Sequence, residues 1–501
     1  MASVSAKEDL PIGEREPAFM RLSRHVGLGL FVVVSCAALL VTLTWALGTI
    51  RSRPLDGVEG EIVFEAMRLR EKHALYIDPV VGDLSLGDPA TRYYVLYPPL
   101  FSWLVSLLPV STVAGATLCV RVIALAAWTA AVVVLARRGH GEKRTRTRML
   151  LVVGGAAFVL GTYVLSLFGA SGRPDALALL LAAFGLSRAV GKGRVDAVAG
   201  ALFALAVFVK PNVLGLATGA MTATFLRHRA RSWAGLASFA GTAALLCVVL
   251  YVASDGQFLT HLTASTAQDT SAALWLSQMG SRLPFFLVPI ALGLALGVRH
   301  FKDDHTFIAF AALGASFCWA LLSLSKIGSA SNYWMEPCLG ALCILSRAPS
   351  LSLGRGTAFA SVLLGVQAPY DGVASIKSSL EGLAQAPAQR ATLNEIRASC
   401  NDRPGATTLA DEPGTELEID GRVVDTPFQF AHTRNDALAR AWERSSDSPN
   451  VRCVVVQGDL LERTGEDSAL HDRFSVPVKN TLRQHFQLEK TQAGFYIYRA
   501  R

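Results

Sequence analysis

Four short polar clusters interrupt an otherwise apolar chain, and their residue types suit the handling of a charged, oxygen-rich substrate. The first follows the first hydrophobic run and holds Asp56, Glu59, Glu61 and Glu65, then Leu75-Tyr76-Ile77-Asp78-Pro79 and Tyr97-Pro98-Pro99-Leu100. A carboxylate placed there can take the proton of an attacking hydroxyl. The second cluster is Ser171-Gly172-Arg173-Pro174-Asp175, the third Lys210-Pro211-Asn212, and the fourth runs from Lys326 through Asn332 and Tyr333 to Glu336. Arg173 is permanently charged and able to bind two phosphate oxygens at once, and Lys210 and Lys326 add point charges. Ionisable groups near a membrane interior usually face a cavity or a partner.

Each cluster also has a purely structural reading. Asp56-Gly57-Val58-Glu59 has capping-box spacing, with Asp56 at the N-cap and Glu59 at N3 of an amphipathic helix whose apolar face is Val58, Ile62, Ala66 and Leu69. Two residues apart on a helix, Glu59 and Glu61 point about 200° apart, so both cannot face one site unless the turn is extended. Arg173 fits an ion pair with Asp175 or a snorkelling contact with headgroups, and Asp175 fits the start of a helix after Pro174. Lys210-Pro211-Asn212 reads as a turn between short helices, and the aromatic residues beside Asn332 as an interface belt.

The elements that position these clusters are membrane spans. In 501 residues, 51% are hydrophobic, 17% charged, and mean hydropathy is +0.38, which excludes disorder and argues against an ordinary soluble enzyme. The net charge of +8 falls in short groups between apolar runs. That is a topology signal rather than a nucleic-acid-binding face, so no nucleic-acid partner is expected. Residues 1–25 read as a cytoplasmic tail ahead of a retained anchor, because the apolar run that follows is too long for a signal-peptide core.

About eleven spans are expected, at 26–48, 115–136, 149–168, 175–190, 195–209, 212–226, 233–252, 283–298, 306–325, 333–346 and 357–370. Residues 98–108 are too short to cross and should lie at the surface or enter partway. Alternate loops carry Arg137-Arg138 with Lys143 to Arg148, Lys192 with Arg194, Arg227 with Arg229 and Arg231, Arg299 with Lys302, and Arg347 with Arg355. The positive-inside rule sets these beside the N-terminal tail, and the first external loop (51–97) and the C-terminal part together on the outer side.

Ser375–Arg501 reads as a soluble α/β domain. Residues 451–456 and 495–498 are its strands, and 391–398 and 478–486 its helices. Six of the eight cysteines sit in apolar segments, whereas Cys400 and Cys453 lie in the polar part and are the pair available for a disulfide. Walker-type loops, paired CxxC, HExxH and GxSxG are missing, which removes support for ATP-driven transport, zinc proteolysis and serine hydrolysis.

Taken in order, the four clusters resemble the GT-C glycosyltransferase superfamily, which includes protein O-mannosyltransferases, aminoarabinose transferases and their bacterial relatives. The resemblance covers residues 26–370 and rests on Glu59-Gly60 with Ala66, Leu69 and Leu75-Tyr76, on Tyr97-Pro98-Pro99-Leu100, and on Arg173-Pro174-Asp175, Lys210-Pro211 and Asn332-Tyr333 with Glu336. Many members carry Asp-Glu where Val58-Glu59 stands here, so the base is sought among Glu59, Glu61 and Asp56, with Glu59 the expectation.

The resemblance implies a polytopic α-helical GT-C fold over 26–370, with the C-terminal α/β domain (375–501) outside the cytoplasm of a bacterial inner membrane. It further implies transfer of a hexosyl or pentosyl group from a polyprenyl-phosphate sugar donor to a glycan, lipid or protein acceptor of the cell envelope, among membrane lipids. Arg173, Lys210 and Lys326 would hold the lipid phosphate, and Tyr76, Tyr97, Asp175, Asn332, Tyr333 and Glu336 the substrate. No fixed cofactor is implied, and a divalent metal is compatible with the class. The competing readings are a membrane transporter, which ionisable residues at span centres and an inverted repeat would favour, and an inactive GT-C scaffold in envelope-polymer assembly.

Overall fold

With no water in the bilayer core, each apolar run must satisfy its own backbone, and every run expected to span is helical. The computed structural model describes residues 18–137, 146–266, 270–347, 355–432, 436–457, 474 and 476–501. The basic loop at 138–145 and the first seventeen residues, which include most of the expected cytoplasmic tail, lie outside these.

Helix α1 (Ala18–Thr49) leads into α2 (Gly57–Arg70) and α3 (Leu100–Ser106). The bundle continues with α4 (Val113–Ala136), α5 (Arg146–Gly161), α6 (Tyr163–Gly169), α7 (Asp175–Lys192), α8 (Ala197–Val209) and α9 (Gly215–Ala253). Next come α10 (Gln257–Thr266), α11 (Ala272–Arg299), α12 (Asp304–Ser323), α13 (Met335–Arg347) and α14 (Arg355–Cys400). Among the described residues five helices, α1, α4, α9, α11 and α12, are each long and apolar enough to cross a membrane, and six spans result if the α5–α6 pair, bent by 67°, counts as one. The two spans expected at 212–226 and 233–252 share the single helix α9, which breaks its helical geometry at His228 (φ −138°, ψ 49°).

Residues 98–108 form the short α3, which packs against α2, burying Phe101, Ser102 and Val105 and leaving Trp103 and Leu107 exposed. One boundary differs from expectation. The last apolar run does not end near residue 370, because α14 carries on unbroken through Pro369 and Pro387 to Cys400. The polar composition after Ser375 marks the place where a helix leaves its apolar surroundings, and its last turns pack Leu393, Ile396 and Cys400 into the core of the α/β unit, whose first strand is β1 (Thr407–Ala410).

That unit continues through α15 (Pro413–Asp420), α16 (Pro427–His432), α17 (Asp436–Ser446), β2 (Val451–Gln457), α18 (Val476–His485), β3 (Phe486–Gln492) and β4 (Phe495–Ala500). Its sheet has the order β1-β2-β4-β3, with β1 parallel to β2 and the other pairs antiparallel. A Cys400–Cys453 disulfide ties the end of α14 to the central strand β2.

The α/β unit rests on the first loop. Gly60 of α2 and Gly414 of α15 meet so closely that a Cβ on Gly60 would lie 2.3 Å from the Gly414 Cα. Arg92 donates its backbone N–H to the Val424 carbonyl (2.6 Å), extending the seam. The opposite end of the bundle is laced by Arg188–Asp196, Arg227–Asp304 and Arg347–Asp303 pairs, at or beside the basic loops.

Candidate functional site

Helix α2 sets the geometry of the site. Asp56 is its N-cap, in extended conformation, and accepts the Glu59 N–H at 2.7 Å, as the capping spacing predicts. Two residues of helix turn then send Glu59 and Glu61 to different sides. Glu59 is fully buried, and Arg121 of α4 grips both of its oxygens at 2.7 Å through Nε and Nη2. The Gly172 N–H adds a third bond to Glu59 at 2.6 Å, and Arg53 lies 3.8 Å away. Arg121 in turn donates to the carbonyls of Ile50, Arg53 and Pro54.

Three N–H donors thus engage the Glu59 carboxylate, two on Oε1 and one on Oε2. Through Arg121 and Gly172, Glu59, the general base expected from the sequence, ties the end of α1, α4 and the Ser171–Arg173 loop together. Arg121 was missed in the sequence, although a lone arginine inside an apolar run is a recognisable signal of a buried partner.

Asp56 faces the other way. Its Oδ2 accepts from Arg173 Nε at 3.1 Å, and its side chain remains 41% exposed. Burial would raise the Asp56 carboxyl, but Arg173, the Glu59 N–H and Arg53 outweigh it and hold the group below the usual carboxylate range. Arg173 stacks over the Phe168 ring at 5.0 Å, and among the described residues its two Nη atoms have no hydrogen-bond partner. The end-on fork of the two Nη groups is thus left for an anion.

Behind this pair lies a second one. Lys210, at the C-cap of α8, donates to Asp175 Oδ1 at 2.5 Å, and Asn332 Nδ2 donates to the same oxygen at 2.6 Å. Asp175 Oδ2 is buried without a partner among the described residues. Lys210 sits over the Tyr97 ring at 5.0 Å, and Asn212 Nδ2 donates to Tyr333 Oη at 2.8 Å. Tyr97 lies within electrostatic reach of Asp175, Arg173, Glu61 and Asp56 together. Residues from the four clusters, far apart in sequence, thus converge on one place at the end of the bundle that carries α2.

Three expected members lie elsewhere in the arrangement. Glu336 turns its oxygens to the Gly215 and Leu216 N–H groups (3.3 and 2.8 Å), where it caps the N-terminus of α9. Lys326 is held through its backbone, which bridges Thr270 at the start of α11. Tyr76 stands edge-on to Phe258 and His261, on the flank of the first loop. Among the described residues no group of three or more His, Cys, Asp or Glu side chains comes together to hold a metal ion, so the donor set for a divalent metal is not assembled there.

No family model matches the sequence, and no curated protein matches it. Solved structures do. The chain is similar to ArnT from Cupriavidus metallidurans in the apo state (TM-score 0.54, 12% identity, 94% of this chain and 97% of that one). It is also similar to the Archaeoglobus fulgidus oligosaccharyltransferase in the apo form (TM-score 0.51, 12% identity, 93% of this chain and 74% of that one). At this identity the likeness is one of fold. The architecture shared with these two structures is that of a polytopic helical membrane protein with a small C-terminal sheet domain.

Proposed function

We propose that the protein is a membrane glycosyltransferase that moves a hexosyl or pentosyl group from a polyprenyl-phosphate carrier to a cell-envelope acceptor on the outer face of a bacterial inner membrane. The reading rests chiefly on one observation. Arg173, whose Nη atoms have no hydrogen-bond partner among the described residues, pairs with a half-exposed Asp56, and Lys210 on Asp175 lies behind them, in a fold shared with ArnT and an oligosaccharyltransferase.

Asp56 is the base in this scheme. It takes the proton from the acceptor hydroxyl as that oxygen bonds to the anomeric carbon, and the bond from that carbon to the phosphate oxygen breaks with its electron pair on the phosphate. Arg173 and Lys210 stabilise the departing lipid phosphate, since fixed cations at a developing anion are worth most in a water-poor site. Asp175 and Asn332 orient Lys210, and Tyr97 and Tyr333 line the approach. Lys326 and Glu336 contribute by shaping the loop between α12 and α13.

The test is transfer from radiolabelled undecaprenyl-phosphate sugars in membranes containing the protein. Asp56→Asn and Arg173→Ala should each lower transfer at least a hundredfold while the protein accumulates normally. Wild-type rates in both variants would overturn the reading and favour a scaffold or transporter.

A further inference from the structure

We propose that Glu61 of α2 and Gln429 of α16 form a hydrogen-bonding pair that reads the ring hydroxyls of the donor sugar, so that the C-terminal domain supplies a specificity-determining residue to the transfer site. This rests on the glycosyltransferase reading and deepens it.

The pair joins residues 368 positions apart. Gln429 Nε2 donates to Glu61 Oε1 at 2.9 Å, with both side chains about nineteen-twentieths buried at 5% and 4% exposure. Each partner keeps one buried oxygen, Glu61 Oε2 and Gln429 Oε1, with no hydrogen-bond partner among the described residues. Tyr76 Oη is also buried without a hydrogen-bond partner among the described residues, within electrostatic reach of Glu65, which follows Glu61 by one helical turn. Leaving a buried polar atom unsatisfied costs about 1–3 kcal/mol, and such an atom calls for a partner: water, an ion or a ligand.

Chemistry narrows that ligand. Burial, with Glu65 nearby, drives the Glu61 carboxyl well above its ordinary range, against the opposing Gln429 bond, and Glu412 and Asp56 add to the rise. That shift favours the protonated carboxyl, whose Oε2 offers an O–H donor while Gln429 Oε1 offers an acceptor. A vicinal diol supplies the complementary acceptor and donor. An uncharged pair also avoids repelling the phosphate that Arg173 and Lys210 would hold, which a second ionised carboxylate would do.

Position favours the donor sugar over the acceptor. Glu61 is in electrostatic reach of Tyr97, whose ring lies under Lys210, so the pair stands beside the phosphate-binding cations to which the donor's own sugar is attached. Gln429 reaches this place because α15 sits directly on α2 through the Gly60–Gly414 contact, and α16 follows α15 by a short connection.

The experiment measures binding to the full-length protein in detergent, using undecaprenyl phosphate alone and undecaprenyl phosphate carrying mannose, glucose, galactose or arabinose. Wild type should bind at least one sugar form about tenfold or more tighter than the bare lipid phosphate. Gln429→Leu and Glu61→Ala should lose that gain and keep wild-type affinity for the bare lipid. Glu61→Gln, which keeps an uncharged donor, should retain most of it. Should Gln429→Leu fail to fold, Gln429→Asn, which withdraws the amide by one methylene, carries the same expectation.

Undiminished sugar discrimination in the Gln429 variants, or no sugar form binding tighter than bare lipid in wild type, would overturn the inference, as would loss of discrimination in Glu61→Gln. Loss of bare-lipid binding in Arg173→Ala reports separately on the phosphate site. The two readings can therefore fail independently.

Discussion

Glu59→Gln separates a clamp from a catalyst. Glu59 and Arg121 are both fully buried, and the carboxylate answers two guanidinium N–H groups at 2.7 Å and the Gly172 N–H at 2.6 Å. An amide in its place keeps one acceptor oxygen and turns an NH2 toward Arg121, leaving a buried cation without its counter-charge. Breaking one side of such a pair costs about 3–5 kcal/mol. Against a typical total stability of about 5–15 kcal/mol that loss is large. Purified Glu59→Gln should therefore show a markedly lower thermal inactivation temperature, with transfer per folded molecule reduced only as far as the Ser171–Arg173 loop is displaced. Removing the stranded charge as well, in Glu59→Gln/Arg121→Gln, should recover part of the stability, because two amides can hydrogen-bond without a net charge. The recovery is partial since Arg121 also serves the Ile50, Arg53 and Pro54 carbonyls. A Glu59→Gln protein with wild-type thermal stability and abolished transfer would refute the clamp and return Glu59 to the role of base.

Glu65 gives a pH signature. Burial raises its carboxyl to about 8 against the Ser102 bond, so between its unfolded value near 4.5 and about 8 the folded state holds a proton that the unfolded chain has lost. Stability from this group is therefore greatest below the lower value and falls as pH rises through that window, by at most about 5 kcal/mol. Glu65→Gln should accordingly be more stable than wild type at pH 8 and close to it at pH 5 in thermal melts, and parallel melting curves across that range would contradict the sign. Gly60→Ala would bring a Cβ to 2.3 Å from the Gly414 Cα and 2.5 Å from its nitrogen, where only backbone can yield. Limited proteolysis should then cut the first loop or α15 more than tenfold faster than in wild type, and unchanged cleavage would argue against the seam.

Much of the site's material is legible along the chain. Spacing alone marks Asp56 as an N-cap and Glu59 as N3, because a capping box is a local device whose partners lie within one turn. Apolar run lengths and basic-loop alternation locate the helices and bring Arg173, Lys210 and Asn332 to one end of the bundle, since backbone satisfaction in lipid leaves few alternatives. The continuation of α14 to Cys400 was hidden because a helix can cross from apolar to solvated surroundings without any change of backbone.

What each carboxylate does was decided by tertiary structure alone. Helix geometry shows that Glu59 and Glu61 diverge, yet only the packing of α4 reveals Arg121 beside one, and only the docking of α16 reveals Gln429 beside the other. The charge state and availability of a buried acid depend on which distant group meets it, through burial and pairing that sequence separation does not record. Composition and local spacing thus determined a polytopic helical scaffold with cations and acids at one end. The assembled fold made Glu59 a strut and left Asp56 open beside Arg173.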